Sequence, residues 1–104
     1  MEGFKVTEAL EIFAPGATLA EAVTGPPTFR WADSSEDTYL IEVFDSFGER
    51  IWDSSIAGQS GDPSLLYEGP ALQAGMYYQF RATSSKDGVP LSRTEDLRGV
   101  FFMP

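Results

Sequence analysis

The chain has 104 residues, of which 42% are apolar, enough for one compact core and too few for two. Seven basic residues against sixteen acidic ones leave a net charge of −9, which excludes the Lys/Arg footprint that nucleic acid requires and argues against docking on an anionic membrane. The absence of Cys and His excludes disulfides, thiolate nucleophiles, zinc centres and imidazole catalysis.

No apolar run approaches the ~20 residues that span a bilayer, so no membrane insertion is expected of this chain. Met1 to Lys5 has neither a basic nor an apolar leader region and does not read as a signal peptide. Two origins fit that start: a whole cytosolic protein, or a piece of a longer chain to which Met1 was added. Ten Gly and seven Pro punctuate the sequence. Short runs rich in aromatic and β-branched residues lie between them, the pattern of an all-β sandwich or barrel. Residues 1–104 read as one domain with a core over roughly 8–103.

Glu8 to Phe13 alternates weakly, with Leu10 and Ile12 inward. Ala17 to Val23 holds good helix formers between Gly16 and Gly25, but about seven residues are marginal for a helix, and a loop is expected. Phe29-Arg30-Trp31 is a strand entered from Pro26-Pro27. Thr38 to Phe44 is the clearest strand, with Tyr39, Ile41 and Val43 on one face and Leu40, Glu42 and Phe44 on the other. Asp45 to Gly48 is a tight turn, and Glu49 to Ser54 returns as its hairpin partner. Ser54 to Tyr67 is a long Gly/Ser-rich connection. Met76 to Thr83 is a second clear strand, with Tyr78, Phe80 and Ala82 alternating against Tyr77, Gln79 and Arg81. Lys86-Asp87-Gly88 is a turn. Gly99 to Met103 is a short apolar strand, buried on both sides or at an interface. Leu91 to Leu97 departs from the regular last strand expected before it.

Three patterns coincide: Pro27-Thr28-Phe29-Arg30-Trp31, Tyr39 through Gly48, and Leu72-Gln73-Ala74-Gly75-Met76-Tyr77-Tyr78 with Gln79 to Ala82 after it. Together they make the chain resemble a divergent bacterial fibronectin type III domain. The resemblance implies a seven-stranded antiparallel β-sandwich with Trp31 as the core tryptophan and Tyr39, Ile41 and Val43 as an inward face. It also implies a tyrosine corner from Leu72, Gly75 and Tyr78, with the phenol bonded to backbone near Leu72. Phe80 continues the inward face. A place in a larger bacterial envelope or secreted protein is likewise what the resemblance implies.

Carboxylates form the visible groupings Glu36-Asp37, Asp45 with Glu49, and Glu95-Asp96. They sit in or beside turns, without the facing cleft that acid–base chemistry needs, and no enzyme and no cofactor is expected. For calcium, Asp33, Glu36 and Asp37 in one loop, or Asp53 with Asp62 if the long connection folds back, offer oxygen ligands, although ordinary loop capping and solubility are the favoured explanation. Leu40, Phe44, Trp52 and Tyr77 would form an outward apolar patch. The alternatives for it are cover by the 54–67 segment, a protein or neighbouring-domain interface, or a polysaccharide-stacking platform. Arg81 and Arg98 read as paired surface groups. The function expected is a non-catalytic interaction or spacer domain; a carbohydrate-binding module and a calcium-stabilised adhesin-type domain are the alternatives.

Overall fold

A computed structural model describes residues 11–32, 38–58, 62–86, 89–93 and 98–104, with backbone alone for 89–93. These residues form nine strands: β1 Ile12–Ala14, β2 Glu21–Ala22, β3 Thr28–Trp31, β4 Thr38–Asp45, β5 Arg50–Ala57, β6 Ser64–Leu66, β7 Tyr77–Lys86, β8 Val89–Arg93 and β9 Val100–Phe102. Among the described residues there is no helix.

The strands make two sheets, a small one in the order β1-β3-β6 and a large one in the order β2-β9-β7-β4-β5, with β8 also on β7. All pairings are antiparallel except β2 with β9. β4 runs along one edge of β7 over its whole length. β9 and β8 therefore share the opposite edge, β9 at Tyr77–Gln79 and β8 at Thr83–Lys86. Nine strands thus occupy fewer positions than their number implies.

The alternation of β4 and β7 places the core. Tyr39, Ile41 and Val43 from β4 and Tyr78, Phe80, Ala82 and Ser84 from β7 are buried. Phe29 and Trp31 of the small sheet meet them from the other side. Phe29 stacks on Phe80 at 4.5 Å between ring centroids and lies 5.8 Å from Phe101. Trp31 meets Tyr39 edge-on at 5.4 Å. Large rings facing each other across two sheets bury the apolar area that drives folding, and the architecture is an all-β sandwich. The Trp31 indole N–H has no hydrogen-bond partner.

Several elements differ from expectation. The first strand is seen only at Ile12–Ala14; residues 8–10 lie outside the described part. Within Ala17 to Val23, Glu21–Ala22 adds to β9 instead of helix or plain loop. Leu19 there is 81% exposed, so a helix would lack the apolar packing that a seven-residue segment needs. The expected long connection is shortened at both ends, because β5 continues to Ala57 and Ser64–Leu66 pairs with β3. β7 extends to Lys86. β8 occupies Val89–Arg93, while 94–97 lie outside the described residues.

Two glycines set the closest approach between chain segments. Gly16 and Gly99 both take positive φ, 79° and 78°, and the Gly99 N–H donates to the Gly16 carbonyl at 2.9 Å. A Cβ on Gly16 would lie 2.4 Å from the Val100 carbonyl oxygen, and one on Gly99 2.6 Å from that of Phe80. Only glycine fits either position without moving backbone.

Candidate functional site: the outer face of the large sheet

Cross-strand register defines the outer face. Phe44 stands opposite Gln79 on β7 and Arg50 on β5. Gln79 stands opposite Val100 on β9, and Tyr77 opposite Phe102. Tyr77 is 49% exposed, and its ring stacks on Phe102 at 4.8 Å and 26°. Phe44 lies one diagonal step from Tyr77, and on its other side the Arg81 guanidinium sits 5.0 Å from the Phe44 ring centroid. A cation over an aromatic face at that distance contributes ~0.5–1 kcal/mol at an exposed site.

Polar contacts hold this surface in shape. Ser46 Oγ donates to the Tyr77 carbonyl at 2.7 Å and accepts from the Tyr77 N–H at 3.1 Å. The turn from β4 to β5 is thereby fastened to the start of β7. Gln79 Nε2 donates to the Arg98 carbonyl at 2.8 Å, and Arg98 Nη1 donates to the Ala17 carbonyl at 3.1 Å. Arg50 pairs with Glu42 at 3.0 Å and with Asp53 at 3.5 Å, so a charged band separates Phe44 from Leu40.

The expected patch is accordingly split. Phe44 and Tyr77 belong together, joined by Phe102 and Val100. Leu40 lies two rows away, opposite Thr83 and Ser55. Trp52 is not on this face at all. A bulge between Val43 and Phe44 sets Trp52 opposite Val43, which is fully buried, so Trp52 points inward. There its ring packs edge-on against Tyr67 at 4.9 Å and tilted against Phe29 at 6.2 Å. A Cβ on Gly69 would lie 2.6 Å from the Trp52 ring. The segment after β6 therefore covers this side chain. The expectation that Gly99 to Met103 is buried on both sides or at an interface does not single out Phe102 and Val100. Strict alternation around Phe101 would have found them.

The other singled-out residues divide as follows. Asp33, Glu36 and Asp37 lie outside the described residues. Asp53 is exposed on the outer face of β5, and Asp62 is exposed. Among the described residues no group of three or more acidic side chains gathers as metal ligands would. Asp45 Oδ1 accepts from the N–H groups of Phe47 and Glu49, at 2.9 and 3.0 Å, which makes its carboxylate part of the turn. Leu72 packs on the core margin and Gly75 has φ 83°. The Gln73 N–H donates to the Tyr78 hydroxyl at 2.8 Å, while the Gly75 N–H donates to the Met103 carbonyl at 2.7 Å.

A cleft of about 210 Å³ lies at one end of the sandwich, lined by Pro26, Tyr67, Pro70, Leu72 and Met103 among others. It falls below the ~300–1,000 Å³ usual for small-molecule sites. Burial pushes the Tyr67 phenol above its ordinary pKa, and the nearby Tyr78 adds to the rise. The Tyr67 hydroxyl donates to the Pro70 carbonyl. No helix among the described residues is long and apolar enough to cross a membrane. No protein-family model, curated protein or solved structure matches the chain.

Proposed function

We propose that this chain is a non-catalytic, fibronectin type III-like interaction domain that contacts a protein or neighbouring domain through the outer face of its large sheet. It would serve as a binding or spacer unit of a larger bacterial envelope or secreted protein. The strand order supports the fold type. Three positions, β1-β3-β6, oppose five, β5-β4-β7, the shared β8/β9 edge and the two-residue β2 beyond β9, and a phenol at the start of β7 accepts from backbone upstream.

The single observation that carries the binding reading is the exposed Tyr77–Phe102 stack beside Phe44 and Arg81. Aromatic and arginine side chains held rigidly on a sheet lose little conformational entropy on contact and form the usual anchors of interfaces. Tyr77→Ala and Phe44→Ala in the intact parent protein should weaken association with its neighbour while leaving the fold intact. Unchanged association in the double variant would remove this face from the function. The flat stack also suits the face of a sugar ring. Titration with soluble polysaccharides, followed by chemical shifts at Tyr77 and Phe102, separates that second reading from the first.

A further inference from the structure

The strand edges of this sandwich are unequal. β1, β2 and β6 have three, two and three residues. Pro63 precedes β6, and Pro90 lies within β8. β9 is covered by β2. Short strands, prolines and cover are the devices by which proteins blunt open edges. β5 has only a bulge near its start, between Trp52 and Arg50, and the cover of Trp52 by the segment after β6. It runs for eight residues, Arg50–Ala57, with neither Pro nor Gly. Among the described residues β4 is its only partner strand. Beyond the bulge, Asp53–Ala57 presents a row of backbone groups along roughly 17 Å of edge that no other strand among the described residues pairs.

The side chains of this edge have two chemistries. Inward lie the half-buried Trp52 and Ile56, packed at the rim of the core. Outward lies the exposed Asp53. Arg50, the cation of the strand, is already engaged by Glu42 and Asp53. The chain as a whole carries −9. A second copy of the chain fits poorly. Two bodies of −9 repel.

We propose that β5 accepts an extended, basic peptide segment as an added strand along Asp53–Ala57, with an apolar side chain beside Ile56 and Lys or Arg beside Asp53. Backbone hydrogen bonds to the open edge supply the affinity, and the alternation of side chains supplies the selectivity. The acidic surface raises the encounter rate of a cationic segment. This interaction is separate from the outer-face contact and does not require it.

The test uses the intact chain and a capped peptide of alternating lysine and valine, as long as β5. Amide chemical shifts report the site. The expected perturbations run along residues 53–57, with Tyr77 and Phe102 unmoved. Binding should weaken about tenfold in Asp53→Lys and fall steeply toward about 0.5 M salt. In a strand, all valine N–H groups point to one edge and all lysine N–H groups to the other. N-methylation of one set must therefore abolish binding, and methylation of the other must leave it. Equal binding of both methylated peptides would reduce the effect to net charge and overturn the proposal. So would perturbations confined to the outer face, no binding at all, or concentration-dependent self-association of the chain through residues 53–57.

Discussion

β4 and β7 each present two faces built by one alternating backbone, and the two faces obey different rules. Inward, Tyr39, Ile41, Val43, Phe80 and Ala82 are wholly buried, and each is fixed by the volume its neighbours leave. Outward, Leu40, Glu42 and Phe44 on β4 and Tyr77, Gln79 and Arg81 on β7 stay partly or largely in water. They are held by ion pairs, a cation over a ring and one aromatic stack. Substitutions on the inner face should therefore change stability and leave binding geometry to collapse with the fold. Substitutions on the outer face should change recognition and leave stability nearly untouched.

The comparison breaks most directly at Phe80. Phe80→Ala removes a buried ring stacked on Phe29, and chemical denaturation should show a loss of about 3–5 kcal/mol. A loss near that of an outer-face variant would erase the distinction between the faces. Gly99→Ala is expected to cost about 3 kcal/mol, combining a left-handed backbone with a clash at the Phe80 carbonyl. Tyr78→Phe keeps the ring and deletes only the acceptor for Gln73, so about 1–2 kcal/mol should be lost. A change below about 0.3 kcal/mol would show that this bond does not hold the crossover.

Alkaline titration sharpens the same contrast. The folded pKa of Tyr67 lies above the ordinary 10.0, so the folded state keeps its proton where the unfolded chain loses it. The stability this supplies is complete below about pH 10 and is lost as pH rises through the raised value. Tyr67→Phe should flatten the decline of Tm with pH relative to wild type; an unchanged slope would mean the phenol is not held neutral by burial. The smallest effect belongs to Tyr77→Ser, within about 0.5 kcal/mol in stability, despite its place in the aromatic stack.

The inner face was legible because period-two alternation is strict in Thr38–Phe44 and Met76–Thr83 and the inward residues are large. The outer face was legible only in part. The bulge between Val43 and Phe44 shifts register by one residue, and a shift of one moves a side chain to the other face. No local signal in Glu49 to Ser54 announces that shift, and a regular hairpin places Trp52 outward with Phe44. Ser54–Ala57 and Ser64–Leu66 carry serines and glycines nearby that mimic a loop. Their strand character comes from pairing with β4 and β3 rather than from propensity. The two-residue β2 rests on a parallel partner about eighty residues away, which no local window contains.

That parallel pairing governs how the domain would bear tension. β2 lies early in the chain and β9 near its end, side by side and pointing the same way. The Val23 N–H is bonded to the Phe102 carbonyl at 2.9 Å, and Gly99 is bonded to Gly16. Once β1 has parted from β3, traction on the two flanks of the chain drags the neighbours in opposite directions along their common axis. Their hydrogen bonds are then loaded in shear, all at once, and cannot be unzipped one by one. A unit strung between other domains would in this way resist stretching through its thinnest strand.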